Sequence, residues 1–343
     1  MIDADLIVAG AGPAGLATAL YAARAGLHTV VLDASPPGPI DKACGEGLMP
    51  GAVRALRDLG VHPQGQSIRG IRYTDGRHVV DAAFQHGPGL GVRRTTLQSV
   101  LMERAKDAGV ELVSSRAQDV RPDDDGVSVD GRRARYLAVA DGLHSPIRRL
   151  LGLDLATSST VAPRWGTRQH FAVAPWTDLV EVHWASRSEA YVTPVGPALV
   201  GVAVLSSVQA PFARQLESFP ALRNRLPLAG ATSVRGAGPL LQQTSTRVAG
   251  RVLLVGDAAG YVDALTGEGI AVALACARAL VDCVAADNPG AYERRWLAAS
   301  RRYRTITGAL LWARRQPMLA RRIVPIAARL PRVFDAAVQQ LAH

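Results

Sequence analysis

One unit of 30 residues at the start of the chain, positions 4 to 33, restricts the fold more than any other feature. Residues 4–9, ADLIVA, read as a short buried strand. Gly10-Ala11-Gly12-Pro13-Ala14-Gly15 follows, then an alanine-rich helix to about Arg24 that ends at Gly26, then a second strand from His28 to Leu32 that ends at Asp33. Strand, G-x-G-x-x-G, helix, strand and acid, in that order, make a dinucleotide-binding βαβ unit. Gly10 allows the tight turn, Gly12 lets the backbone approach a pyrophosphate, and Gly15 lets the helix pack closely on the strand. Pro13 suits the first helical turn, where its missing N–H has no partner to lose. With Ala14 it opens a helix whose free N–H groups and positive dipole end face the diphosphate. Asp33 stands 18 residues after Gly15, where a carboxylate accepts hydrogen bonds from ribose hydroxyls.

That unit alone does not separate one dinucleotide from another, and two later segments bear on the choice. Tyr136 to Arg148, YLAVADGLHSPIR, reads as a strand, a turn at Asp141-Gly142, and a helix start with Ser145 as cap and Pro146 as first residue. Arg251 to Gly260, RVLLVGDAAG, reads as a buried strand ending at Gly256-Asp257. A glycine-rich loop then leads through Gly267-Glu268-Gly269-Ile270 into a long helix ending near Ala285. Asp257 is placed to bind a polyol hydroxyl, and the 267–270 turn sets a second helix N-terminus beside the ligand. Two such helix ends on one sheet point to one long cofactor stretched between them.

Composition excludes several classes. Of the 343 residues 48% are apolar and 20% charged, which is ample for a buried core in two lobes. Three scattered cysteines (Cys44, Cys276 and Cys283) form neither a disulfide framework nor a zinc spacing, and they point to a reducing, cytoplasmic setting. Metal ligands are not expected. The N-terminus lacks the basic region of a secretory signal, and no run of about 18 uncharged apolar residues is present to span a bilayer. Of the net charge of +10, +9 lies in residues 290–343, where eleven arginines face two acids, so nucleic acid is not the expected partner.

GAGPAG, ADGLHSPIR and GDAAGYVDALTGEGI together resemble the p-hydroxybenzoate hydroxylase-like flavoprotein superfamily, over essentially residues 1–285. Lys42-Ala43-Cys44-Gly45-Glu46-Gly47 and the T-G-E-G-I turn look most like its geranylgeranyl reductase branch, which also holds flavin hydroxylases of polyketides and phenolic lipids. The resemblance implies noncovalent FAD, with NAD(P)H as a transient reductant. It places Arg94, with Arg93 adjacent, near the ribityl–phosphate region, and Val120 where backbone groups touch adenine. It brings Lys42 and Cys44 to Gly47 close to the flavin ring. Cys44 then either lines the substrate face or is a small buried hydrophobe. Glu46 is either a proton donor or a structural carboxylate. Cys276 and Cys283, seven apart on one helix, read as core.

The expected fold is α/β: a Rossmann-type FAD-binding lobe (1–64, 91–155 and 247–288), an inserted, mostly antiparallel substrate lobe (65–90 and 156–246), and a C-terminal helical segment (289–343). In the substrate lobe, Ile68 to Tyr73 and His78 to Ala83 read as a hairpin. Further strands are expected at Gly166–Val173, Leu179–Ala185, Ala190–Pro194 and Ala198–Leu205, with a helical cover at 210–226. Trp184 and Tyr191 either line the substrate pocket or pack across strands. The tail mixes arginine with apolar residues and is interrupted at Pro317, Pro325 and Pro331. It fits a peripheral membrane contact or a helical cover with a solvated basic face. The function expected is an NAD(P)H-using FAD monooxygenase acting on a hydrophobic aromatic or polyketide-derived molecule. The alternative is a flavin reductase of isoprenoid double bonds, with a non-catalytic flavoprotein behind both. A halogenase is disfavoured: the W-x-W-x-I-P segment is missing, and Lys42 and Lys106 are the only lysines.

Overall fold

The computed structural model describes residues 2–34, 38–156 and 162–342. Residues 157–161, at the expected start of the second part of the substrate lobe, lie outside them. One sheet runs, in spatial order, through Val248–Ala249, Val252–Leu254, Arg132–Val139, Ala4–Ala9, Thr29–Asp33 and Glu111–Ser114. The last five of these strands are parallel. Leu6, Ile7 and Val8 are fully buried, because helices cover both faces of a parallel sheet and the middle of its central strands meets no water. Pro13–Arg24 packs against Gly269–Ala285 and Arg94–Asp107. Cys276 and Cys283 are buried in this core, as expected.

Strand register brings the motif ends together. Ala9 pairs with both Leu32 and Val139, and Val139 pairs with Leu254. Gly10, Asp33, Asp141 and Gly256 therefore all emerge at the carboxyl edge of one sheet, where open α/β sheets bind ligands. Motifs far apart along the chain become neighbours in space.

A second, seven-stranded sheet has the order Arg235–Ala237, Trp165–Phe171, Leu199–Ser206, Ser188–Gly196, Leu179–Trp184, Gly70–Thr74 and Val79–Ala83. All pairs are antiparallel except Leu179–Trp184 with Gly70–Thr74. Alternation gives this sheet two faces. Ala190, Val192, Val200, Val202 and Val204 point to one, which is sealed by Phe212, Leu216, Phe219 and Leu222 of the 210–226 cover. The other carries Arg168, His170, Trp184, Glu189, Tyr191 and Thr193, an unusual set for a buried surface.

The C-terminal segment is helical: Tyr292–Arg315, Pro317–Ala320, Ile323–Arg329 and Pro331–Ala342. Pro317 and Pro331 open helices, but Pro325 does not break one. It is the third residue of Ile323–Arg329, inside the first turn, where no i−4 carbonyl awaits its missing N–H. The last helix docks on the edge of the second sheet. Gln339 Nε2 donates to the Ala83 carbonyl at 2.6 Å, and the Phe334 ring lies 4.8 Å from that of Tyr73.

Candidate functional site

At one end of the carboxyl edge the glycine loop is tight. A Cβ on Gly15 would lie 1.9 Å from the Gly10 carbonyl oxygen, and one on Gly10, at φ +110°, would lie 2.5 Å from that of Ala140. The Pro13–Arg24 helix starts after Gly12 with no side-chain cap, so its first N–H groups are free for a ligand. Asp33 accepts the Ala11 N–H. Arg94 opens the Arg94–Asp107 helix and reaches back across this end. Its Nη1 donates to the Ile40 carbonyl and to Gln98 Oε1, both at 2.9 Å, and its Nη2 comes within 3.9 Å of the space a Gly12 Cβ would fill. Gln98 in turn donates to the Ala11 carbonyl at 2.8 Å. A cation is thereby fixed over a helix N-terminus.

At the other end Asp141 and Asp257 face the same hollow. Asp141 accepts the Ile147 N–H through Oδ2 at 3.2 Å, and its Oδ1 is buried with no partner. Asp257 is open to the hollow yet surrounded by protein on the remaining sides. That enclosure pushes its carboxyl above the ordinary range, against the pull of Arg94 and Lys42. Lys42 Nζ lies 3.9 Å from where a Gly142 Cβ would stand. Cys44, Tyr191 and Tyr261 share Asp257's situation: each is partly accessible, and each is pushed up by desolvation toward its neutral form.

The 41–47 loop between these ends is gripped by the polar face of the second sheet. Thr193 Oγ1 donates to the Gly45 carbonyl at 2.7 Å, and Arg168 bonds Asp41 and, at 3.0 Å, the Lys42 carbonyl. Glu46 sits at φ +59°, a left-handed conformation that directs its side chain down into the sheet. Its Oε1 accepts the Arg94 N–H at 2.9 Å, and its Oε2 meets His170 Nε2 at 2.7 Å. Both side chains of that pair are at most 1% exposed. Arg168 Nη1 faces His170 Nδ1 at 3.1 Å and only donates, so the imidazole proton stands on Nε2, toward Glu46. Glu46 as a proton donor to substrate is thus corrected: both its oxygens are engaged and it has no route to the hollow.

Val120 is set apart from this group. It pairs with Val129, which pairs with Arg132, seven residues from Val139 and at the opposite end of that strand from the groove. Trp184 is buried against Tyr73, with ring centroids 5.2 Å apart. Tyr191 Oη donates to the Leu265 carbonyl at 2.8 Å, which ties the polar sheet face to the 265–269 turn.

Comparison with known proteins decides which dinucleotide this groove serves. A family model described as an FAD binding domain matches residues 3–225. This chain belongs to the FAD binding domain family. It is 32% identical to the menaquinone reductase of Mycolicibacterium smegmatis, covering 85% of this chain and 79% of that protein. It is 28% identical to digeranylgeranylglycerophospholipid reductase 1 of Methanopyrus kandleri, covering 86% of each. It is 29% identical to protoasukamycin 4-monooxygenase of Streptomyces nodosus subsp. asukaensis, covering 85% and 83%. Among solved structures, the Diels–Alderase PyrE3 of pyrroindomycin biosynthesis superposes with a TM-score of 0.78 at 22% identity, covering 98% of this chain and 80% of that one.

The groove fits FAD on physical grounds: uncapped N–H groups beside a fixed arginine at one end, and an orphaned buried carboxylate oxygen and a second helix N-terminus at the other. A neighbouring cavity of about 260 Å³ shares Gly256, Asp257, Tyr261 and Gly269 and is otherwise walled by Thr244, Arg247, Trp296 and Tyr303, with no residue of the glycine loop or the 42–47 loop. Among the described residues no cluster of metal-ligating side chains occurs, and no helix is long and apolar enough to cross a membrane.

Glu268, the residue before the Gly269–Ala285 helix, is buried with Oε2 unpartnered, and burial pushes its carboxyl up to about 7. Its folded value lies above its unfolded one. Its contribution to stability is therefore full below the ordinary value of 4.5 and is lost as pH rises through about 7. The shift corresponds to roughly 3 kcal/mol. The thermal midpoint of the cofactor-free protein is expected to fall between pH 5 and pH 8, and Glu268→Gln is expected to flatten that fall. An unchanged pH profile in the variant contradicts the assignment.

His170, Arg168 and Thr232 escaped the sequence reading, as did Arg164, Glu189, Asp263 and Arg314. A signal existed: in WGTRQHF the charged residues fall on alternate positions of a strand, which aims them at one face. Nothing in the sequence names the loop they hold.

Proposed function

We propose that this protein is an NAD(P)H-using FAD monooxygenase that hydroxylates a hydrophobic aromatic or polyketide-derived molecule. The observation that carries this is the meeting of the 41–47 loop, the 257–269 segment and the polar sheet face, tied together by Thr193 Oγ1 on the Gly45 carbonyl and Tyr191 Oη on the Leu265 carbonyl. There Cys44, Tyr191, Tyr261 and Asp257 are all pushed toward their neutral forms by desolvation. Walls of this kind suit a neutral hydrophobic ring better than a charged ligand, and a bound ring completes the exclusion of water that oxygen transfer needs. Bound FAD supplies two-electron transfer and the activation of oxygen. In this reading Gly12, Pro13, Ala14 and Arg94 hold the diphosphate, Asp33 a ribose and Asp257 the ribityl chain. Gly267, Gly269 and Ile270 present a helix N-terminus to the pyrimidine side of the ring. Lys42, Gly45, Gly47, Asp141 and Gly142 line the remaining walls. Cys44, held as a neutral thiol, shapes the pocket and offers no nucleophile.

A flavin reductase of isoprenoid double bonds is the second reading, supported by the Cys44-Gly45-Glu46-Gly47 loop and by the names of several relatives. The two reactions differ in atoms. A hydroxylase turning over under ¹⁸O₂ with NADPH adds one ¹⁸O to its product, whereas a reductase adds two hydrogens without oxygen. Hydrogenated product formed anaerobically, with no label taken up in air, overturns the monooxygenase reading. The tail leaves Trp312, Met318, Leu330 and Val333 exposed among Arg315, Arg329 and Arg332, which supports delivery of substrate from an anionic bilayer. Failure to float with phosphatidylglycerol vesicles counts against that route.

A further inference from the structure

The polar face of the second sheet ends in a cluster that the loop contacts do not use. Glu189 is fully buried and is the register partner of Trp184, so both side chains rise from the same face. Arg314, from the Tyr292–Arg315 helix, bonds Glu189 through Nε and donates through Nη1 to the Ser186 carbonyl at 2.9 Å. Arg164 bridges Glu189 at 2.7 Å and Asp263 at 2.8 Å. Three atoms of this cluster are buried and have no partner among the described residues: Trp184 Nε1, Arg314 Nη2 and Asp263 Oδ1. The Arg314 guanidinium carbon lies 5.9 Å from the Trp184 ring centroid, so two of these are donors on adjacent groups. Buried polar atoms are almost always paired, and an unpaired pair of donors marks a place for an acceptor.

We propose that Trp184 Nε1 and Arg314 Nη2 form a subsite for a carbonyl-type oxygen of a neutral hydrophobic ligand, on the polar face of the second sheet away from the strand end that holds the 41–47 loop. The charge balance sets the ligand class. Arg164 and Arg314 are matched by Glu189 and Asp263, so no net positive charge remains for an anion, and Asp263 Oδ1 repels one. A phosphate or carboxylate head is thereby disfavoured and a ketone or quinone oxygen favoured. Position sets the length. Glu189, Tyr191 and Thr193 follow one another along the same face, and Thr193 holds Gly45 beside the flavin loop. Four strand residues place the oxygen about 13 Å from that loop, which fits a ligand longer than one ring. The inference rests on the proposed substrate pocket but not on which reaction occurs there.

The test is isothermal titration calorimetry of the FAD-loaded protein with three probes of similar size: 1-tetralone, its oxygen-free counterpart tetralin, and the anion 1-naphthoate. The expected result is 1-tetralone bound about tenfold more tightly than tetralin, with 1-naphthoate weaker than 1-tetralone. Trp184→Phe keeps the ring and removes the donor. Arg314→Lys keeps the charge on Glu189 and removes Nη2. Each is expected to cut the preference to threefold or less while leaving tetralin binding unchanged. A wild-type protein that does not distinguish 1-tetralone from tetralin, a preference that survives both variants, or tighter binding of 1-naphthoate overturns the subsite. Product analysis under ¹⁸O₂ is independent of these titrations, so failure of the monooxygenase reading leaves them standing.

Discussion

Replacing Gly15 with valine is expected to yield protein that purifies without FAD and takes up less than a tenth of an equivalent when FAD is added in excess. A Cβ at this position would stand 1.9 Å from the Gly10 carbonyl oxygen and 3.2 Å from the Ala140 Cβ. Backbone of the glycine loop lies on one side and the strand end on the other, so neither neighbour yields without opening the turn. Overpacking of this kind costs about 3 kcal/mol or more in a rigid site. Relief comes from moving the Pro13–Arg24 helix away from Gly10, which separates its free N–H groups from the diphosphate position. The contrast is Gly26→Ala. Gly26 also has positive φ, at +76°, but nothing lies within 4 Å of its Cβ position. That variant is expected to lose about 1 kcal/mol of stability and no FAD affinity. Equal loss of FAD in both would show that general destabilisation, and not the approach at Gly15, is responsible. FAD content by absorbance and denaturant midpoints together separate the two.

The second large effect is expected at His170. His170→Leu leaves Glu46 Oε2 buried with no donor, at a cost of about 3 kcal/mol in urea unfolding. There is no room for relaxation, because a Cβ on Gly201 would already lie 3.0 Å from that same oxygen. The 41–47 loop is expected to loosen with it, since Glu46 also accepts the Arg94 N–H and thereby couples the sheet to the arginine over the glycine loop. Glu46→Met in the His170→Leu background removes both polar partners. That double variant is expected to be more stable than the single His170→Leu, because an unpaired buried carboxyl costs more than the Arg94 N–H that Met leaves without an acceptor. If the double variant is less stable by the sum of two independent losses, the pair is not the tie described here.

The cofactor lobe was legible in the sequence because its signals are local. Each glycine of GAGPAG, the Asp141-Gly142 turn and the Gly256-Asp257 strand end carries its own steric or hydrogen-bonding requirement within a few residues. The strands of the second sheet were legible as alternating apolar runs, and the 210–226 cover as two short amphipathic turns. What alternation does not reveal is the partner across space. Arg168 and His170 read as polar residues in a strand, Arg314 as one more arginine of a basic tail, and Glu46 as either a proton donor or a structural carboxylate. Each is defined by an element more than 100 residues away: Asp41 and Lys42 for Arg168, Glu46 for His170, Glu189 for Arg314. Val120 stands apart from the other expected contacts, because its pairing through Val129 to Arg132 sets it away from the strand end at Val139. The net charge of +10 misleads in the same way, since one of the tail's arginines is interior and structural.

A single groove, in which separated segments meet along the carboxyl edge of one sheet, underlies both the cofactor site and the proposed chemistry. The most direct test is a crystal structure of the protein saturated with FAD. Diphosphate density over Gly12 beside Arg94, ribityl density at Asp257, and the flavin ring between the Cys44–Gly47 loop and the Gly267–Ile270 turn are predicted. FAD seated in the cavity walled by Thr244, Arg247 and Trp296, or extended along the exposed tail, would contradict it.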